Sequence, residues 1–399
     1  MGQAQDVHIP EVHPDDLESN PPPTDSAKPS RSQSQNEVDA GAGTHSERAP
    51  SDVGSALARH ASLNDAASLA SIDRPPSEPE KIPAAKIYHP YHPAVLALLM
   101  PASVFGCLAR LGVDALVSFD GAAIFPLAWV QVGGCLVMGF CLGIREPFGR
   151  FYGPLYTAFT TGFCGSFTTF SSWQYAVFQA WINSGRYHRD WLRDVSHRRP
   201  HPTPLHTRPI LSAVQFGTHL ATLIAPHFPR PPSPNRVVRY SLTALSVCIY
   251  AATFPAYSRM PESFRHQATS ALLYSFPGTL TRYLLSINLN RRLKLFPLGT
   301  FAANILGTGL IGLFEVLQST HGPLSVNACN VLNGLANGYC GCLTTVSTFA
   351  TEVDALESKK AWFYVILSVV CSQLLLLVIL GPSYWAGHVS EQLTCKYVP

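Results

Sequence analysis

The 399 residues carry 28 Lys and Arg against 25 Asp and Glu, and a formal net charge of +3 is too small an excess to mark a nucleic-acid binder. Hydrophobic residues make up 47% of the chain, yet its mean hydropathy of +0.12 averages two unlike parts. Ten cysteines follow no disulfide-framework spacing and most fall in apolar stretches, where they are expected to pack as small hydrophobes; Cys340-Gly341-Cys342 lacks metal-ligand spacing, and no Gly-rich nucleotide loop is present.

Residues 1–88 are rich in Pro, Ser, Asp, Glu and Ala, almost without aromatics, and are predicted to be a disordered tail. No apolar run follows Met1 before about residue 92, so a secretory signal is not expected. From His92 onward come apolar stretches of bilayer-crossing length. Nine spans are predicted, near 92–113, 122–143, 153–181, 207–227, 237–256, 266–287, 295–317, 330–356 and 361–384. The fourth is weakest, holding Thr218, His219, Thr222 and Pro226. The third and eighth are long and carry Gly with Ser and Thr at mid-length. A broken helix fits there, provided its freed backbone groups are buried in protein or line a cavity.

One stretch occurs twice. Residues 162–174 read GFCGSFTTFSSWQ and residues 338–350 read GYCGCLTTVSTFA. The surroundings repeat as well: Gly106 and Arg110 of the first span match Gly278 and Arg282 of the sixth. Phe125-Pro126-Leu127 matches Phe296-Pro297-Leu298. Gln131, Gly134 and Gly139 match Asn304, Gly307 and Gly312 at identical spacing. Four spans return the chain to its starting side, so a lone fifth span inserts the second copy upside down. The predicted fold is therefore an all-α membrane protein, an inverted repeat of two four-helix domains joined by a linking transmembrane helix, nine spans in all, with a broken third helix in each repeat. The boundaries are 1–88 for the tail, 89–228 for the first domain, 229–258 for the linker, 259–388 for the second domain and 389–399 for a C-terminal tail. Lys81, Lys86, Arg145, Arg150, Arg230, Arg236, Arg239, Arg291, Arg292, Lys294, Lys359 and Lys360 fall on one side, which predicts a cytosolic N-terminus and an extracellular C-terminus. The basic loop from Arg186 to Arg208 breaks that rule.

These repeated motifs resemble the Fluc family of fluoride channels, specifically the fused two-domain fluoride exporters of fungi and other eukaryotes, over about residues 90–385. The resemblance implies passive, selective passage of fluoride through narrow pores between the halves. It also implies a structural Na+ at the centre, held by the backbone carbonyls of Gly165 and Thr168 and of Gly341 and Thr344, a ligand type that suits a hard cation. The alternative is that these glycines only permit close helix packing.

Family pores carry two Phe three residues apart, one from each half facing each pore. Those positions are Phe170 and Trp173 in the first copy and Val346 and Phe349 in the second. The resemblance thus implies one conducting pore that pairs Phe170 with Phe349, and one vestigial pore with Val346, Trp173 and Gln131, which replaces the family's Asn. A positive ring edge suits an anion, and polar donors must replace its water. The candidate donors are Asn304, Ser171, Thr345, Ser347 and Thr348, with Ser368 and Ser372 sharing a face of the ninth span. Thr218 and Thr222 are the corresponding pair of the first copy, or they bond their own helix carbonyls. Arg110 and Arg282 are intramembrane charges expected to anchor helices or line a vestibule. Asn330, Asn333 and Asn337 form a polar stripe, either a vestibule or hydrogen-bond glue, and Glu352 is expected to be structural.

The expected function is a fluoride channel of the plasma membrane, not an enzyme. It would exploit the inside-negative potential, act as a monomer in membrane lipid, and need no organic cofactor or nucleic acid. A proton-coupled transporter of fluoride or small anions is the alternative.

Overall fold

A computed structural model describes residues 88–117, 126–182, 207–227, 232–290, 292–293, 296–320, 324–387 and 395. The predicted N-terminal tail, the basic loop between the third and fourth spans and most of the C-terminal tail lie outside them. The described residues are helical, without strands: α1 (Pro93–Val117), α2 (Pro126–Gly143), α3 (Arg145–Thr157), α4 (Phe170–Ile182), α5 (Thr207–Ile224), α6 (Arg236–Ala251), α7 (Ser270–Leu289), α8 (Leu298–Gln318), α9 (Val326–Asn333), α10 (Ser347–Ala355) and α11 (Ser358–Trp385).

Apolar composition drives these helices. α1, α6 with its continuation to Arg259, α8 and α11 are each long and apolar enough to cross a bilayer, and Leu127–Gly143 is a shorter apolar helix. Outward faces stay apolar on these helices and on α5: Trp129, Phe216, Tyr240, Leu245, Trp362, Leu374 and Val378 are all exposed. Such continuous apolar exposure marks a lipid-facing surface. α6 packs chiefly along α1 and is mostly exposed, whereas α1 and α7 lie against each other near the centre.

Between α3 and α4, and again between α9 and α10, the chain runs through a π-helical segment, a single helical turn and a break. The π segments are Ala158–Cys164 and Gly334–Cys340, followed by Gly165–Phe167 and Gly341–Leu343. The breaks fall at Thr168 (φ −90°, ψ 154°) and Thr344 (φ −89°, ψ 154°), both extended. The sequence pointed to the breaks but not to the π turns, which carry no residue signature of their own.

The same glycine contacts recur in both copies. A Cβ on Gly106 would collide with the carbonyl of Phe163, and one on Gly278 with that of Tyr339, so α1 and α7 each lie directly on a π segment. α2 and α5 run parallel: Gly139 faces Val214, and Gly143 faces Ala221. α8 and α11 do likewise, with Gly309 facing Leu375 and Gly312 facing Ile379. Beyond each break the chain crosses to the other copy. α4 packs on α8 and α11, while α10 packs on α2 and α5.

One expectation is corrected. Cys329 at the start of α9 and Cys395 form a disulfide across 66 residues, while the other eight cysteines are free. Spacing could not reveal the pair, because it joins a helix end to a distant terminal segment that only the fold brings together.

Candidate functional site

The two breaks meet, and each caps the helix beyond the other. Thr344 Oγ1 accepts from the N–H groups of Phe170 and Ser171 (both 3.1 Å), the first turn of α4. Thr168 Oγ1 accepts from those of Val346 (3.1 Å) and Ser347 (3.0 Å), the first turn of α10. Each threonine hydroxyl also reaches back to a carbonyl of its own strand of chain, Cys164 or Cys340. Four orphan helix-end donors, which would be costly in an apolar slab, are thus satisfied by side chains contributed across the repeat.

Around this crossing, hydroxyls gather. Thr168 lies 3.2 Å from both Thr345 and Ser347, and Thr344 lies 3.2 Å from Thr169 and 3.0 Å from Ser171. Thr345, Ser347 and Ser171 are fully buried here, and Thr348 is partly so.

Gln131 and Asn304 occupy equivalent places. Gln131 donates to Thr169 O and accepts from Thr169 N–H, and Asn304 does the same with Thr345 (3.1 and 2.9 Å). Both amides latch the backbone just past a break, which leaves one N–H of each for any other partner. The latch has a consequence. Thr169 and Thr345 carry the N–H groups that a continuous helix would direct at the carbonyls of Gly165 and Gly341, and here those groups go to side chains. With Thr168 and Thr344 extended, four carbonyls at the crossing lie outside the helical ladder. They are oxygen ligands of the kind a hard monovalent cation takes.

Arg110 and Arg282 bind the breaks from the flanks. Arg282 donates to Thr161 O (2.8 Å) in the first copy and to Cys342 O (3.0 Å) in the second, with its guanidinium packed on Gly165. Arg110 donates to Asn337 O and packs on Gly341. Both are almost fully buried, and their carbonyl partners are not the four just described. Each arginine reaches across to the other copy, and charge-assisted bonds to carbonyls hold it in the apolar interior.

Beside the crossing, the rings of Phe170 and Phe349 touch, with centroids 5.5 Å apart. Val346 and Trp173 belong to the same apolar cluster, and Trp173 stands edge-on to Phe170 at 5.6 Å. Next to Phe349 lies Tyr364 of α11, at 4.8 Å. Tyr364, Ser368 and Ser372 are spaced i, i+4, i+8 on one buried face of α11. Ser368 donates to Tyr364 O (2.7 Å), whereas the fully buried Ser372 hydroxyl has no partner among the described residues. Just beyond, Gln373 donates to the backbone and side-chain oxygens of Gln174 on α4.

Two carboxylates flank this face. Glu352, fully buried, accepts from Thr300 and from Tyr364 (2.8 Å). Glu315 of α8 accepts from Tyr175 of α4 at 3.2 Å. Sequence reasoning passed over Tyr364, Gln174, Gln373 and Glu315. Tyr364 had a signal: it continues the four-residue spacing of Ser368 and Ser372. The others become visible only once α4 packs against the second copy.

The remaining residues sit apart. Asn333 donates to His266 O (2.6 Å), and Asn337 donates to Asn333 Oδ1 (2.6 Å), which ties the π segment to the start of the sixth span. Asn330 is buried, and neither of its side-chain polar atoms has a partner among the described residues. Thr218 and Thr222 donate to helix carbonyls, Val214 O (3.1 Å) and His219 O (2.7 Å).

The sequence matches the family described as CrcB-like protein, Camphor Resistance (CrcB), twice, over residues 97–194 and 269–381. The chain belongs to the CrcB family. The two matches of this CrcB chain coincide with its two helix breaks. It is 33% identical to "Fluoride export protein 1" of Neurospora crassa, over 74% of this chain and 68% of the relative. It is 34% identical to "Fluoride export protein 1" of Schizosaccharomyces pombe, over 73% of this chain and 96% of the relative. A "Fluoride-specific ion channel FluC" of Acinetobacter baumannii is 33% identical, over 30% of this chain but 95% of its own length. No solved structure matches.

Proposed function

We propose that this chain is a passive, fluoride-selective channel that exports cytosolic fluoride across the plasma membrane, with one conducting path and one vestigial. The observation that carries this reading is the crossing of two mutually capped helix breaks with Phe170 and Phe349 in contact beside the buried polar face of α11. The CrcB family and the fluoride-named relatives support the choice of ion. The conducting path runs along α11 past Tyr364, Ser368 and Ser372. Asn304, Ser171, Thr345, Ser347 and Thr348 supply hydroxyl and amide groups that exchange for water stepwise. Val346, Trp173 and Gln131 mark the vestigial side.

The two copies act as an inverted pair of four-span domains, 89–228 and 259–388, joined by the linking span 229–258 that contains α6, nine spans in all, functional as a monomer in lipid. The carbonyls of Gly165, Thr168, Gly341 and Thr344 would hold a structural Na+, a hard cation suited to such oxygens, with the helical donors of Gly165 and Gly341 diverted to Gln131 and Asn304. Arg110 and Arg282 anchor the breaks, as Glu352 anchors α10 to α11. Of the Asn330, Asn333 and Asn337 stripe, Asn333 and Asn337 act as hydrogen-bond glue between the π segment of the second copy and the sixth span.

The test is fluoride efflux from liposomes carrying the purified protein, driven by a potassium diffusion potential, with chloride for comparison. Fast fluoride-selective efflux without a pH gradient is expected. A second reading, proton-coupled transport, is favoured by the two carboxylates flanking the α11 face. It requires that efflux stop when the pH gradient is abolished.

A further inference from the structure

The Cys329–Cys395 pair takes no part in the proposed ion path. Its Cα atoms are 5.6 Å apart, within the ordinary range for a disulfide. Cys329 is fully buried and Cys395 nearly so. The backbone N–H of Cys395 donates to Gln318 O (3.3 Å), at the last residue of α8. Cys395 is therefore held at two points, on the end of α8 and on the start of α9.

Those two points share a side. α8 and α11 run parallel, so the end of α8, the start of α9 and the end of α11 all lie at the same face. The opposite face carries Arg292 between α7 and α8, and Lys359 and Lys360 at the start of α11. An excess of Lys and Arg marks the cytosolic side of a membrane protein. Disulfides persist on the other side, where thiols are not kept reduced. The charge at these helix ends and the cysteine chemistry agree on one orientation, and the basic loop that breaks the charge rule lies outside the described residues.

We propose that Cys329 and Cys395 form a standing disulfide on the extracytoplasmic face, and that it straps Cys395 onto the outer ends of α8 and α9. Two thiols are oxidised to one disulfide, with loss of two protons and two electrons to the oxidants of the secretory compartment during maturation. The bond closes a 66-residue loop that runs from within α9 through α10 and α11, the elements that carry Phe349 and the polar face. Cross-links of that kind stabilise chiefly by restricting the unfolded chain. The proposal rests on the membrane-spanning reading but not on which ion passes, so it stands or falls separately from fluoride flux.

The experiment takes full-length protein from intact cells, blocks all free thiols with N-ethylmaleimide under denaturing conditions, then reduces it and adds a maleimide-polyethylene glycol. Wild type is expected to gain two adducts, and Cys329→Ser and Cys395→Ser none. No adducts on wild type, or two on Cys395→Ser, would overturn the pairing. An epitope appended after Pro399 is expected to bind antibody on unpermeabilised cells, and binding only after permeabilisation would overturn the orientation. Reductant is expected to lower the thermal unfolding midpoint of the purified wild type by several degrees and leave that of Cys395→Ser unmoved. A wild-type midpoint indifferent to reductant would overturn the strap.

Discussion

Phe170 and Phe349 touch although they come from different copies and lie 5.5 Å apart between ring centroids. Phe170→Ile and Phe349→Ile are each expected to cut fluoride efflux by roughly tenfold or more, the effect of about 1.4 kcal/mol at the barrier. Val346→Ala and Trp173→Ala are expected to cost far less at matched protein level. Equal losses in all four would argue against a single conducting path. The threonine caps allow a separate test of stability. Thr168→Val and Thr344→Val each strip two buried N–H groups of their acceptor. Each is expected to destabilise by about 2 kcal/mol or more, read as a lower unfolding midpoint in detergent. The Thr-Thr doublet was legible as a repeated polar element. That each threonine serves the other copy was not legible, because a cap acceptor is recognised in sequence only when it neighbours the helix it caps.

The face of α11 is a property of the helix rather than of any one side chain. Four-residue spacing stacks Tyr364, Ser368 and Ser372 in one row, and the row buries because α11 lies parallel to α8 and is touched by α4. Within it the two serines differ. Ser368 spends its proton on Tyr364 O, and Ser372 has no partner among the described residues. Ser372→Ala is therefore expected to reduce fluoride flux more than Ser368→Ala, measured in the same liposome assay. The reverse order would place the path elsewhere. α1 and α7 make an equally specific element-level contact, since their glycines lie on the carbonyls of π segments. Gly278→Val is expected to prevent assembly, seen as loss of the monodisperse peak in size-exclusion chromatography.

Cohesion between the copies comes from crossing rather than from the linker. α4 packs into the second copy, α10 into the first, and Arg110 and Arg282 each bind a carbonyl of the opposite copy. α6, by contrast, contacts chiefly α1 and is largely exposed. A chain divided after Arg230 and expressed as two pieces is expected to copurify as one complex. Adding Arg282→Ala is expected to weaken that complex, because the guanidinium bridges Thr161 of one piece to Cys342 of the other. Pieces that fail to copurify would make the covalent connection between the copies essential to assembly.

By itself the amino-acid sequence determined the helical class, the membrane character, the duplication and the positions of the breaks. Apolar run length, residue spacing and self-similarity are local quantities, and nothing distant alters them. Only the tertiary structure decided the partners. Thr168 caps α10, Gln131 latches Thr169, Arg282 bridges the copies, and Cys329 finds Cys395. In an apolar interior a polar group must find its complement wherever the fold brings one. Which residue that is depends on how the copies cross, which residue spacing along one chain does not encode.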